Sequence, residues 1–85
     1  MSWLVLEQGW EVVDSAGEKV GTLDEVLGDQ NADIFDGLAV ATGLVGSPVY
    51  VPAERVGEIT QGRVQLELTG DQVERLEPYE PPAAP

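Results

Sequence analysis

The oxygens of Asp29-x-Asn31-x-Asp33 have the spacing most suggestive of chemistry, since they match the first three ligands of a calcium-binding loop. Asp36 would add a fourth oxygen, which makes Asp29, Asn31, Asp33 and Asp36 the candidate metal set. The rest of that pattern is missing: Ile34 stands where glycine is needed and Val40 where a bidentate glutamate is needed. The competing account is a solvated turn, because Asp and Asn side chains bond their own backbone in such segments. A second chemistry is paired-carboxylate acid/base catalysis, with Glu54 or Glu58 set near Glu67. Sixteen acids in 85 residues bring carboxylates close by crowding alone, so the pairing carries little information. Cysteine and histidine are both absent. That removes thiol and imidazole nucleophile systems, zinc sites of the usual kind and any disulfide framework. The expectation is a protein without catalytic residues or cofactor, and not an enzyme.

The elements that must position these residues come from a short and very acidic chain. Its 85 residues carry 16 acids, 4 bases and a net charge of -12. Nine acids and one base fall between residues 7 and 36, against seven acids and three bases from 37 to 85. Such a surface repels phosphate backbones and anionic lipid, so neither direct nucleic-acid binding nor membrane binding is expected. A basic protein partner suits it, as does plain solubility or a saline environment. The opening MSWLVLEQGW lacks a cationic stretch and its apolar run stops at Leu6, so no targeting segment is read there. The uncharged window 37–53 is broken by Gly43, Gly46, Ser47, Pro48 and Pro52 and cannot form a spanning helix. A cytoplasmic location is the expectation.

Apolar residues alternate with polar ones through much of the chain. Arg63 to Leu68 alternates without a break, placing Val64, Leu66 and Leu68 on one face of a strand. Val56–Thr60 precedes it, and Gln61-Gly62 joins the two as a tight hairpin. Further strands are read over Trp10–Asp14, Lys19–Leu27, Ile34–Thr42 and Val49–Val51. Asp14-Ser15-Ala16-Gly17 suits a type I turn, with Asp14 capping it. The apolar parity of the second strand shifts, so a bulge is expected at Gly21 or Gly28. Pro52–Arg55 reads as one helical turn. Thr69 and Gln72 have capping-box spacing, and a short helix runs on to Leu76 before Pro78 stops it. Six short strands with frequent turns point to an all-β, mainly antiparallel fold, a small barrel or sandwich with a short C-terminal helix. The expected divisions are an arm or edge strand at 1–8, one domain at 9–77 and a Pro/Ala-rich tail at 78–85.

The segments GWEVVDSAGEKVGTLDEVLGD, FDGLAVATG, VYVPAERVGEI and RVQLEL, in that order, resemble the PRC-barrel family. The opening Gly-x-x-Val-x-Asp-x-x-Gly-x-x-Val-Gly falls on Gly9, Val12, Asp14, Gly17, Val20 and Gly21. Asp29 closes the second strand, and Tyr50, Val51, Pro52 and Val56 carry the strand-proline-turn-valine element. The resemblance implies a six-stranded PRC-type β-barrel. It also implies an adaptor or assembly role, as in the H subunit of the photosynthetic reaction centre and a ribosome maturation factor.

A chain of this size buries only roughly 60% of its unfolded surface, so self-association is a common aid to stability. Trp3, Leu4 and Leu6, with Trp10, Phe35 and Tyr50, are the candidate contact residues, because large aromatic and aliphatic groups anchor interfaces. The competing account packs the same residues onto the chain's own core. The leading expectation is a non-catalytic protein–protein interaction or self-association module, with a homodimer as its simplest form. The second reading is a factor in ribosome assembly or RNA processing acting through a basic protein. The third is a calcium-responsive module using the Asp29–Asp36 loop.

Overall fold

Turn chemistry and alternation give six strands and one short helix. The structure, a computed structural model, describes residues 2–29, 31–43 and 48–79. A 3-10 turn at Trp3–Val5 is followed by β1 (Glu11–Val13), β2 (Lys19–Asp29), β3 (Ile34–Ala41) and β4 (Val49–Pro52). A second 3-10 turn, Ala53–Arg55, leads into β5 (Val56–Thr60), β6 (Arg63–Leu66) and α1 (Gly70–Glu74).

The hairpins form where the turn residues allow them. Asp14 Oδ1 accepts from the backbone N–H groups of Ala16 and Glu18, both at 2.9 Å, and caps the β1–β2 turn. Gly17 completes that turn at φ 85° and Gly62 completes the β5–β6 turn at φ 81°, values that favour glycine. The capping box at Thr69 is complete: Thr69 Oγ1 accepts from the Gln72 N–H, and Gln72 Oε1 accepts from the Thr69 N–H. The helix is shorter than expected and ends at Glu74.

The strands form one sheet in the order β4-β3-β2-β1-β6-β5. Neighbours are antiparallel except β1 and β6, which run parallel with Val12 opposite Val64. The sheet is therefore mixed, and β1 joins a β2–β3–β4 meander to the β5–β6 hairpin. The β1–β2 and β2–β3 ladders shift register at three places, where the extra residue is Val20 or Asp24 on β2 and Asp36 on β3, so the irregularities lie beside Gly21 and opposite Gly28, and Asp24 adds one that was not expected. Gly21 also permits close approach: a Cβ there would meet the Ala41 carbonyl.

The sheet is strongly coiled. Laid flat, six strands would separate β4 from β5 by about 24 Å at the usual spacing of about 4.8 Å. The connection from Pro52 to Val56 spans at most about 15 Å. The two edges must curl toward each other, yet among the described residues no ladder joins them. The expected closed barrel is corrected to an open, coiled sheet. The outer edge of β4 is covered instead by residues after α1: the Tyr50 N–H donates to the Glu77 carbonyl at 3.0 Å and the Tyr79 N–H to the Pro48 carbonyl at 2.7 Å.

Coiling encloses a core in which Val12, Leu23, Leu38, Val40, Val51, Val64 and Leu66 are almost wholly buried. Ile59, Leu68 and Val49 join them, Leu68 as its alternation predicts, and Val20 and Val26 are partly buried against it. Val73 of α1 is buried at the same core, and Leu6 enters it from the N-terminal side. Gly37–Val40 are four consecutive buried residues, so β3 is covered on both faces. Among the described residues no helix is long and apolar enough to cross a membrane. The tail from residue 80 lies outside the described residues.

Candidate interaction surface

The N-terminal arm is fixed by one polar cap and one buried leucine. Ser2 Oγ accepts from the Leu4 N–H at 3.2 Å and starts the 3-10 turn; the Leu6 N–H closes it on the Trp3 carbonyl at 3.2 Å. Leu6, 8% exposed, anchors the arm in the core. The WLVL run thus becomes a turn and an anchor, not a strand.

Trp3 then meets the end of the β2–β3 hairpin. Its ring stacks on Phe35 with centroids 5.0 Å apart and planes 14° off parallel. Its indole Nε1–H donates to Asp33 Oδ1 at 3.1 Å. Asp33 lies in the turn at φ 53°, a conformation that aspartate tolerates better than most residues. Gly28 sits opposite Phe35 across the ladder at φ 150°, and a Cβ there would run into the Ile34 carbonyl. Glycine is required for this end of the hairpin to bend as it does.

The result is an apolar end. Leu4 (46% exposed), Val5 (45%) and Ile34 (58%) are the exposed large hydrophobic residues among those described. Leu4 and Val5 follow Trp3 in the arm, and Ile34 precedes Phe35 in β3, on the strand face opposite the stacked ring. Of the expected contact residues, Trp3 and Phe35 come together here, and Leu4 follows Trp3 as an exposed residue of the arm. Leu6 and Trp10 do not: Leu6 is core, and Trp10 is half-buried against the core. Tyr50 is held apart from the stack by its own bonds, its hydroxyl donating to the Asp36 carbonyl at 3.1 Å and approaching Asp36 Oδ2 at 3.4 Å. Partial burial, and then the Asp36 carboxylate, push the Tyr50 phenol above its ordinary value. Ile34 was not singled out by sequence, although it adjoins Phe35, which was.

The carboxylates of the calcium-like loop are used locally. Asp29 Oδ1 accepts from the Asn31 N–H at 3.0 Å and the Ala32 N–H at 3.3 Å, the self-bonding turn expected of such residues. Asp33 takes the indole and Asp36 takes the Tyr50 hydroxyl. Among the described residues no three acidic side chains group to hold a metal ion. Glu54, Glu58 and Glu67 are all exposed. Glu58 lines a shallow depression of about 160 Å³ that neither of the other two reaches. A larger groove of about 310 Å³ runs between the Asp14 turn and α1. The buried Asp14 on its wall is committed through Oδ1 to its own turn.

A family model for uncharacterized proteins conserved in bacteria, DUF2171, matches residues 6–74. The chain belongs to the DUF2171 family. That match overturns the PRC-barrel resemblance. The glycine and valine spacing that suggested it falls on the capped β1–β2 hairpin of this sheet. The matched DUF2171 segment begins at the buried Leu6 and includes Ile34 and Phe35, with Trp3, Leu4 and Val5 preceding it. No curated protein matches the chain.

Proposed function

We propose that this DUF2171 member is a non-catalytic, cytoplasmic protein-interaction module. Its contact surface is the end formed by the N-terminal arm and the β2–β3 hairpin. The observation that carries the reading is the exposure of Leu4 and Val5 directly after Trp3, whose ring is stacked on Phe35 at the hairpin end that also exposes Ile34. Solitary exposed apolar residues need no explanation, but a set gathered at one end favours a contact site. Trp3 presents a large, rigid apolar surface whose ring is already oriented by Phe35 and Asp33, which lowers the ordering cost of binding. Another protein or a second copy of the chain would both satisfy this surface.

The test is a double variant, Leu4→Ser with Ile34→Ser, compared with the intact chain by light scattering and by quantitative pull-down. Both positions are exposed, so the variant should melt close to the intact protein. The expected result is loss of self-association or of the principal captured protein. A folded variant that keeps the same solution mass and the same captured proteins refutes the reading.

A further inference from the structure

The two edges of the sheet are protected by different means. β5 is blunted by a register shift between Val56 and Ile59 and by the exposed Glu58. β4 has neither device: residues 37–53 hold no charged side chain, and the β3–β4 ladder runs without a shift. Its cover is the segment 77–79, in which Pro78 bridges Val49 antiparallel. One backbone bond flanks the bridge on each side, from the Tyr50 N–H to the Glu77 carbonyl and from the Tyr79 N–H to the Pro48 carbonyl. Val49 and Pro78 are therefore a non-hydrogen-bonded pair, and the N–H that proline lacks would have pointed away from β4. The sheet cannot be extended at that residue.

A second β4 would make the same two bonds. With the Val49 residues of two copies opposite each other, the Tyr50 N–H of each copy meets the Pro48 carbonyl of the other. Pro48, Val49 and Tyr50 of the second copy then take the places of Glu77, Pro78 and Tyr79, tyrosine replacing tyrosine. The paired strands themselves bring no like charges together, in a chain whose net charge is -12. We propose that residues 77–79 are a displaceable strap standing in for the β4 strand of a second copy. Once the strap leaves, two copies join through β4 about a two-fold axis at Val49. Tethered just behind α1, the strap competes at an effective concentration of about millimolar, so it holds the edge at ordinary protein concentrations. Pairing through this edge needs none of the contacts proposed for the arm-and-hairpin end.

The test uses the full chain in about 1 M salt, where the Debye length is about 3 Å and net charge no longer holds copies apart. Tyr79→Pro deletes the N–H that binds Pro48, whereas Tyr79→Phe keeps both ring and N–H. Glu77→Gly with Pro78→Gly loosens the strap through chain entropy instead. In light scattering, Tyr79→Pro and the glycine pair should reach twice the intact chain's mass at protein concentrations at least about tenfold below those that the intact chain and Tyr79→Phe need. The chain has no cysteine, so Val49→Cys reports the seam directly, because opposed residues of a non-hydrogen-bonded pair come within disulfide reach. In the Tyr79→Pro chain, oxidised dimer should form at Val49→Cys at least about tenfold faster than with the strap intact, and faster than at Glu58→Cys on β5. An unchanged mass in both strap variants would overturn the proposal, including where they capture another protein in place of a second copy. Equal rates at Val49→Cys and Glu58→Cys would mean general stickiness and would also overturn it. So would a Val49→Cys rate indifferent to the strap, since 77–79 would then not guard the edge.

Discussion

The same leucine-to-alanine change at three depths tests how the arm is attached to the core. Leu66 is 1% exposed, Leu6 8% and Leu4 46%. The substitution deletes the equivalent of three carbon groups, worth about 2.4 kcal/mol of transfer at about 0.8 kcal/mol each. At Leu66, in β6 between β1 and β5, a cavity cost adds to this, giving roughly 2–5 kcal/mol. Leu6 lies at the margin of the same cluster and should lose about 2 kcal/mol, with less cavity left because the arm can settle. Leu4 already has almost half its surface in water, so about 1 kcal/mol or less is at stake. For a domain of this size each kcal/mol moves Tm by roughly 4–8 °C. The melting points, read by circular dichroism or calorimetry, should therefore fall in the order Leu4→Ala, Leu6→Ala, Leu66→Ala. The most buried change lowers Tm by roughly 10 °C or more. If Leu6→Ala behaves like Leu4→Ala, the arm is not anchored in the core, and the Trp3–Phe35 surface loses its support. If Leu66→Ala melts with the intact protein, the assignment of inward-facing residues in β6 is wrong.

Gly28→Ala should destabilise by more than about 1 kcal/mol in urea unfolding, because the new Cβ meets the Ile34 carbonyl at a positive φ; an unchanged midpoint would contradict the bend described at the hairpin end. Asp14→Ala should cost roughly 1–3 kcal/mol by leaving the Ala16 and Glu18 N–H groups without their acceptor, and Asp14→Asn should cost less because an acceptor oxygen remains; equal losses would count against the turn-capping role. In alkaline titration Tyr50 and Tyr79 should both ionise above free tyrosine, Tyr50 through burial and Asp36, Tyr79 through burial, Glu25 and Asp36. A raised phenol pKa stabilises the fold fully below about pH 10, and that contribution is lost as pH rises through the folded-state value. Tyr50→Phe should remove its share of this alkaline decline, and a phenolate absorbance midpoint at the ordinary value for both residues would contradict it.

Much of this architecture is local and therefore legible in the residues. The alternation from Arg63, the turn at Gln61-Gly62, the cap at Asp14 and the box at Thr69 and Gln72 each concern neighbours in the chain. Strand partnership is not local. Val12 and Val64 read as inward residues of two strands, but nothing in either pattern says that β1 and β6 run side by side in the same direction. Edge closure was also beyond reach, since Pro48 and Pro52 mark β4 as an edge without showing that residues 77–79 would cover it. At the apolar end, aromatic character identified Trp3 and Phe35. Exposure separated Leu4 from Leu6, and exposure depends on how the arm turns. The Asp29 loop shows the reverse case: spacing suggested ligands, while Asp29 Oδ1 accepts from the backbone N–H groups of Asn31 and Ala32.

The parallel pairing of β1 with β6 also bears on how the chain reaches this state. Glu11 finds Arg63 only after the intervening fifty or so residues have been gathered in, whereas each hairpin can assemble from its own turn. Closure of that central seam is the entropically expensive step. Folding is then limited by long-range topology and runs slower than the chain's small size suggests. Until the seam forms, β1 and β6 each present an unpaired edge. The clustered negative charge in the first half of the sequence keeps such half-assembled molecules apart while the search proceeds.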